Sequence, residues 1–330
     1  MRRLRKRIKL NSGQETEMNG LPKVDEKDFV FAPEDFRLIT NTDECLKFFL
    51  RLRDADNIKL VRTSQSNKRR YIRMSLKKVN QIDDAAISIL TAISEDYRLG
   101  GVILHGDFTN NNECNTRLME SGYINHITDP NGKKLPYFGA SGSDIFKLEK
   151  GTGALTDSEH SKISKILKTI TARLGYDNIF FKRLKTLVLE ICGNSIEWSG
   201  SYSKLWLMGV NYRPDMVYCT LTDIGNGILE TLHIKAKQKT WDFFHGKSNI
   251  QILEGAFERK YGSTTREPNR NNGLPHVKYC FETNFIQNLK VITNDVILDF
   301  NSPDACCRFG EGTNFKGTFY QWELKAANNQ

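Results

Sequence analysis

The sequence predicts an α/β (α+β) protein built from two successive domains. The chain has 330 residues, which is long for a single domain. Segments with helical spacing of apolar residues alternate with segments that have the two-residue alternation of strands. Glycines and prolines in and beside residues 131–155 predict a connector between the halves. Hydrophobic residues make up 39% and charged residues 26%, which is typical of a globular protein and excludes a disordered chain.

The first 30 residues are polar and charged, which predicts a flexible arm over residues 1–30. Its basic side chains are Arg2, Arg3, Arg5, Lys6, Arg7 and Lys9. With the net charge of +9 and an isoelectric point near 9.1, they leave nucleic acid open as a partner. A solvated tail is the simpler interpretation, because aromatic residues are absent among these basic residues.

Cysteine usage and hydropathy indicate the compartment. The chain has seven cysteines, an odd number with no C-x-x-C pair, which favours reduced thiols over a disulfide framework. No apolar run approaches about 18 residues, and no secretory signal is visible. We therefore expect a cytoplasmic protein that does not associate with membranes.

Residues 36–130 predict a small α/β domain. Helical and strand-like patterns alternate along this part of the chain. The segments are a helix at Cys45–Leu52, a strand at Tyr71–Leu76, a helix at Ala85–Ile93, a strand at Gly101–Gly106 and a helix at Arg117–Tyr123.

Two stretches, Val79–Ile93 and Gly101–Tyr123, resemble STAS-type domains. The resemblance covers about residues 55–130 and implies a small sheet with helices that binds a protein partner or senses a signal. Bacterial STAS proteins can carry a phosphorylated serine at the start of one helix. The matching loop here offers Thr109 and a run of asparagines instead, so no phosphoacceptor is assigned.

The second half predicts a layer of helices on an antiparallel or mixed sheet. Thr156–Glu159 has the composition of a helix start, and a polar stretch at 229–288 is typical of a mobile cover over a site. The predicted helices are 156–174 and 181–199, and the predicted strands are 203–212, 216–221, 289–300 and 315–324.

Two short motifs in this half carry chemistry. Glu190 and Asn194 are four residues apart on a predicted helix, so they share one face. A carboxamide oxygen suits Mg²⁺ beside phosphates and water, and a carboxylate one turn earlier is placed to activate a water molecule. Asp223 begins a glycine-rich turn after a strand, and its carboxylate can accept a hydrogen bond from the adenine amino group. Gly225 and Gly227 permit positive φ angles and close approach to a ligand. We therefore expect ATP and Mg²⁺ as ligands.

In this order the motifs resemble the ATPase domain shared by gyrase, heat-shock chaperones, histidine kinases and mismatch-repair proteins, the GHKL superfamily. The resemblance covers residues 156–325 and implies a two-layer α/β sandwich over residues 156–330. It also implies further nucleotide contacts in a lid, a second glycine box and a terminal Gly-Thr pair. These residues are Lys260, Gly262, Thr264, Arg266, Asn272, Gly273, Leu274 and Thr318. The second glycine box departs from the family in having Asn271 and Asn272 before a single glycine.

The resemblance implies an ATP-hydrolysing conformational switch in which Glu190 is the catalytic base and lid closure regulates a protein partner. One alternative is an anti-sigma-type serine/threonine kinase that acts on a STAS-like partner or domain. A second alternative is a basic regulator associated with nucleic acid. The switch is preferred because the helix carries Glu190 and the STAS-like half lacks a clear acceptor serine. A protein partner is expected, and a homodimer is left open.

Overall fold

The computed structural model describes residues 28–62, 68–126, 146–151, 155–198, 204–232, 246–260 and 273–327. The chain divides into two compact units: residues up to 139 without 88–92, and residues 88–92 together with those from 140 onward. Both units combine helices with strands, so the α/β class predicted from the sequence is confirmed.

The first unit is built around a four-stranded sheet. Strand β4 is its centre, with β6 parallel to it along one edge and with parallel β1 and antiparallel β3 along the other. Strands β2 and β5 form a separate parallel pair. The elements are β1 (Phe29–Phe31), β2 (Asp35–Phe36), α1 (Thr42–Leu52), β3 (Lys59–Arg62), β4 (Lys68–Ser75), β5 (Gln81–Ile82), α2 (Asp84–Leu99), β6 (Val102–Gly106) and α3 (Asn112–Glu120).

Two boundaries in this unit differ from the predicted ones. Residues Phe29–Phe31 pair with Arg73–Ser75, so the predicted arm at 1–30 is wrong for its last residues. The rest of the arm, residues 1–27, lies outside the described residues. Helix α3 begins earlier than predicted because the Asn111 side chain accepts a hydrogen bond from the Glu113 amide at 2.9 Å and caps the helix there.

The second unit is a seven-stranded sheet in which every pair of neighbours is antiparallel. The strand order is β12-β11-β10-β13-β9-β8-β7. The elements are β7 (Phe146–Gly151), α4 (Asp157–Leu174), α5 (Asn178–Trp198), β8 (Trp206–Tyr212), β9 (Met216–Asp223), α6 (Asn249–Phe257), α7 (Gly273–Glu282), β10 (Gln287–Asn294), β11 (Val296–Asp299), β12 (Cys307–Arg308) and β13 (Phe315–Lys325).

Two segments of this sheet correct the prediction. Residues 146–151, placed in the connector at 131–155, form β7 and pair with β8 at the sheet edge. Residues 131–145 and 152–154 of the predicted connector lie outside the described ranges. The single strand predicted at 289–300 is a hairpin, because Asn294 adopts a left-handed φ of 52° and turns the chain between β10 and β11.

One face of the sheet packs against helices α4–α7. Alternate residues of β8, β9 and β13 contribute to this core, with Trp206 and Trp322 fully buried. Helix α4 is capped by Thr156, as its sequence predicts. All seven cysteines are free thiols in the structure. None of the helices in the described ranges is long and apolar enough to cross a membrane.

Candidate functional site

Helix α5 presents Glu190 and Asn194 beside its core-facing side. The Asp177 carboxylate accepts a hydrogen bond from the Phe180 amide at 2.9 Å and starts the helix. Apolar residues such as Ile191 hold the helix on the sheet. Glu190 and Asn194 both lie within α5, so their predicted placement on one helix is confirmed. Both side chains are half-buried.

The first residue of α7 lies against these two side chains. A Cβ added to Gly273 would stand 2.6 Å from the Asn194 Nδ2 atom and 3.2 Å from both Asn194 Oδ1 and Glu190 Oε2. A side chain at Gly273 would therefore require the Asn194 side chain to move. The first N–H groups of a helix lack partners within the helix and lie at the positive end of its dipole. A carboxylate, a carboxamide and a helix N-terminus thus meet at one place, which we call the Gly273 cluster (Glu190, Asn194 and Gly273).

The Gly273 cluster includes a polar atom without a partner. The Asn194 Nδ2 atom is shielded from solvent, and no residue in the described ranges accepts a hydrogen bond from it. Buried polar atoms are normally paired, so this nitrogen marks a place where a polar ligand would fit. Within the same ranges, no group of three or more His, Cys, Asp and Glu side chains has the arrangement of a metal site.

His276 is a neighbour of the cluster that the sequence motifs did not identify. It lies one turn into α7, and its Nε2 atom is 3.6 Å from Cys280 Sγ. Burial lowers the pKa of His276, the charge of Glu190 raises it, and Arg183 lowers it further. The signal for this residue was its three-residue spacing from Gly273 on a helix, which places it near the same face.

Asp223 ends β9 between two other strands. It is paired with Trp206 on β8 and with Thr318 on β13. One carboxylate oxygen accepts a hydrogen bond from the Gly225 amide at 3.0 Å, and the other accepts one from Ser195 Oγ at 3.3 Å. Burial raises the pKa of Asp223 to about 6, while the hydrogen bonds from Gly225, Ser195 and Thr318 act in the opposite direction. The carboxylate is therefore held by neutral groups at a buried strand end.

Ser195 connects the two motifs, and the sequence did not identify this role. It follows Asn194 on α5, is buried, and lies with its Oγ atom 3.1 Å from the Ile191 carbonyl as well as near Asp223. Because Asn194 contacts Gly273 and Ser195 contacts Asp223, one helical turn reaches both parts of the predicted site. The sequence shows a serine directly after the asparagine, but it does not show that the partner of this serine lies on a strand distant in sequence.

The two glycines of the turn after Asp223 behave differently. Gly227 has a φ of 82°, so the predicted positive φ is confirmed there. Gly225 does not use this freedom, since its φ is not positive, and its N–H group donates to the Asp223 carboxylate. A Cβ at Gly227 would overlap Asn294 Oδ1 and stand 2.8 Å from Thr293 Oγ1. Protein side chains, rather than a ligand, thus account for the close approach at Gly227.

The other predicted contact residues are only partly placed. Lys260 is exposed and forms an ion pair with Glu258 at 2.5 Å, and no described contact joins it to the Gly273 cluster. Leu274 is half-buried and packs against the core that α5 shares. The predicted contacts at Gly262, Thr264, Arg266 and Asn272 lie outside the described residues.

Comparison with known proteins adds one distant likeness. No family model matches the sequence, and no curated protein matches it. Among solved structures, a chain of the crystal structure of the SiaB-SiaC complex from Pseudomonas aeruginosa matches with 10% sequence identity and a TM-score of 0.27. The match covers 53% of this chain and 88% of that chain. This likeness is too distant to support a fold or a functional assignment.

Proposed function

We propose that the second unit binds ATP with Mg²⁺ and hydrolyses it, and that the nucleotide state regulates a protein partner. The observation that carries the proposal is the link through Ser195. That residue donates to Asp223, while the preceding Asn194 contacts Gly273 beside Glu190. These contacts support the proposal because they bring together two carboxylates, a carboxamide and a helix N-terminus, the groups that we assign to base binding, proton transfer, metal binding and phosphate binding.

The Gly273 cluster would hold the phosphates and the metal ion. The Asn194 carbonyl oxygen suits Mg²⁺, and its unpaired Nδ2 atom can donate to a phosphate oxygen. The N–H groups of Gly273 and Leu274 begin α7 and favour anionic oxygens. When bound, Mg²⁺ neutralises charge on the phosphates. Glu190, one turn before Asn194, would accept a proton from the attacking water.

Asp223 would select the base. Adenine presents an amino donor where guanine presents a carbonyl acceptor, so a carboxylate at this position favours adenine. The raised pKa of about 6 still leaves most of the carboxyl groups ionised at neutral pH. Thr318 pairs with Asp223 across the sheet and would complete the base contact with its hydroxyl group or through a water molecule.

One feature of the first unit favours a switch over self-phosphorylation. Thr109, in the loop that corresponds to the STAS phosphoacceptor, is 4% exposed and donates its hydroxyl hydrogen to the Val79 carbonyl. A hydroxyl group that is buried and bonded to the backbone is a poor phosphoacceptor. We therefore propose that the first unit, with its STAS-like sequence, contacts the partner, and that lid residues including Lys260 respond to the nucleotide.

The decisive experiment uses ATP labelled at the γ-phosphate, with Mg²⁺ and the full chain. Asp223→Ala should abolish nucleotide binding, because it removes the acceptor for adenine. Glu190→Gln should keep binding and reduce phosphate release by about 100-fold. Glu254→Gln, at an exposed position on α6, is the matched control and should behave as the wild type.

The outcomes separate the proposal from its rivals. Release of inorganic phosphate by the wild type supports a hydrolase, whereas label retained on protein indicates a kinase. Normal ATP binding by Asp223→Ala would show that the base site is assigned wrongly. Binding of nucleic acid that weakens steeply with salt would point to the basic regulator instead.

A further inference from the structure

Side chains at the hairpin turn between β10 and β11 form hydrogen bonds to the glycine-rich turn after Asp223. Thr293 Oγ1 accepts a hydrogen bond from the Ile228 amide at 2.9 Å. Asn294 Oδ1 accepts one from the Leu229 amide at 3.0 Å, and Asn294 Nδ2 donates to the Asn226 carbonyl at 2.8 Å. Two adjacent side chains thus bond to backbone groups on both sides of Gly227. We call this pair the Thr293–Asn294 clamp.

The clamp also reaches the strand on the other side of Asp223. Thr293 Oγ1 donates to the Gly317 carbonyl at 2.9 Å. A Cβ at Gly317 would overlap the Asp223 carbonyl oxygen, so the two backbones are in direct contact. Thr318, the next residue, is paired with Asp223. One threonine hydroxyl therefore joins the segment after Asp223 to the strand segment that carries Thr318.

The clamp occupies two backbone amides that directly follow Gly227. Residues 228–232 are helical, and the first N–H groups of a helix attract anions. Here the amides of Ile228 and Leu229 are already bonded to Thr293 and Asn294. These two amides are therefore not free to bind a ligand, which agrees with the proposed phosphate site at the N-terminus of α7.

We infer that Thr293 and Asn294 are positioning residues for base selection, which rests on the nucleotide site proposed above. They fix the turn that follows Asp223 and the neighbouring segment at Gly317, so the carboxylate and Thr318 face the base in one arrangement. Neither side chain needs to touch the nucleotide. Without the clamp, the turn after Asp223 becomes conformationally more mobile. The carboxylate then discriminates less well between the amino group of adenine and the carbonyl group of guanine.

The test compares Thr293→Val with two matched variants in the full chain. Thr293→Val removes the acceptor for the Ile228 amide and the donor to Gly317 while keeping the volume of the side chain. Thr293→Ser keeps the hydroxyl group. Thr171→Val is the control, since Thr171 is equally buried but its hydroxyl group donates only within α4, to the Lys168 carbonyl at 3.1 Å. Dissociation constants for Mg-ADP and Mg-GDP are measured by calorimetry, with circular dichroism as the check on folding.

Thr293→Val should raise the dissociation constant for ADP about tenfold, because it removes two hydrogen bonds that hold the turn. It should change the constant for GDP less, so the preference for ADP falls. Thr293→Ser should restore both values, and Thr171→Val should leave them at the wild-type level. A merely structural role would lower stability in both valine variants and leave the ratio of ADP to GDP affinity unchanged. That result would overturn the inference.

The remaining outcomes also decide the question. If Thr293→Val fails to fold, Asn294→Asp takes its place. That variant keeps the acceptor for Leu229 but loses the donor to the Asn226 carbonyl, and it should reduce the ADP preference. A wild-type ratio in Asn294→Asp would overturn the inference. If the wild type binds ADP, Asp223→Ala does not, and the clamp variants match the wild type, only the clamp role fails. If the wild type binds no nucleotide, the proposed function fails with it.

Discussion

The two ends of the candidate site differ in how completely they are bonded. At the Asp223 end, both carboxylate oxygens accept hydrogen bonds and the turn is held by the Thr293–Asn294 clamp. At the Gly273 cluster, Glu190 is half-buried and Asn194 Nδ2 has no acceptor among the described residues. The end proposed to hold the base is therefore fully hydrogen-bonded, whereas the end proposed to hold the phosphates has a donor without an acceptor among those residues.

This difference predicts where substitutions act. Changes that add a clash or remove a hydrogen bond at the bonded end should lower the free energy of unfolding together with binding, because the same contacts serve both. Removal of the buried charge of Asp223 should instead raise the free energy of unfolding while binding is lost. Changes at the Gly273 cluster should affect binding and turnover more than stability, since Asn194 Nδ2 has no acceptor there among the described residues.

Gly317→Ala should have the largest effect. The added Cβ would overlap the Asp223 carbonyl oxygen and stand 3.0 Å from Ile224 Cα, and the φ of 148° at this glycine disfavours other residues. We expect a loss of about 4 kcal/mol in the free energy of unfolding, measured by urea denaturation. Gly310→Ala is the control, since a Cβ there meets no atom within 4 Å. Equal stability of the two variants would show that the strand ends at Asp223 are not rigid.

Asp223→Asn should stabilise the protein in a pH-dependent way. The pKa of Asp223 rises from 3.8 to about 6 on folding, mainly through burial. The folded chain thus binds the proton more tightly than the unfolded chain. The resulting contribution to the free energy of unfolding is fully present below pH 3.8 and is lost as the pH rises through 6. At about pH 7.5 the buried charge lowers the free energy of unfolding by about 3 kcal/mol.

The melting temperature of Asp223→Asn should therefore exceed that of the wild type at about pH 7.5, and the gain should shrink towards pH 4. The variant should at the same time lose its affinity for ATP. Asp215→Asn, at an exposed position, serves as the control. A gain in melting temperature that is the same at both pH values would argue against a buried ionised carboxylate.

Gly273→Ala should separate turnover from stability at the other end. The methyl group would displace the Asn194 side chain, whose Nδ2 atom stands 2.6 Å away from the added Cβ. Displacing a flexible side chain costs less free energy than displacing backbone, so the melting temperature should change little. Because Asn194 is moved from its place, turnover should fall about twentyfold. Steady-state phosphate release at saturating ATP measures the effect. Undiminished turnover would show that Asn194 is wrongly assigned as a ligand of Mg²⁺.

The local parts of the site could be predicted from the sequence. Glu190 and Asn194 share a face because a helix repeats every 3.6 residues, which depends on no other segment. Asp223 was placed at a strand end by the apolar run before it and the glycines after it. The caps at Thr156 and the turn at Gly227 follow equally from local chemistry.

The contacts that assemble the site could not be predicted in the same way. Ser195 meets Asp223, and Thr293 meets Ile228, only after the sheet has formed. Strand β7 was hidden because its pairing with β8 is non-local and glycines flank it. The sequence motifs therefore identify the groups that perform chemistry, and tertiary packing determines which residues hold them in place.

Gly193→Ala should have the smallest effect and should stabilise the protein. Gly193 lies within α5, directly before Asn194, and a Cβ there meets no atom within 4 Å. Alanine favours a helix over glycine by about 0.8 kcal/mol, so the melting temperature should rise. Turnover should stay at the wild-type level, because the open side of α5 beside Asn194 has room for a methyl group. A stabilised variant without turnover would mean that the ligand, rather than solvent, fills the space beside Gly193. The phosphate end would then extend further along α5 than the Gly273 cluster.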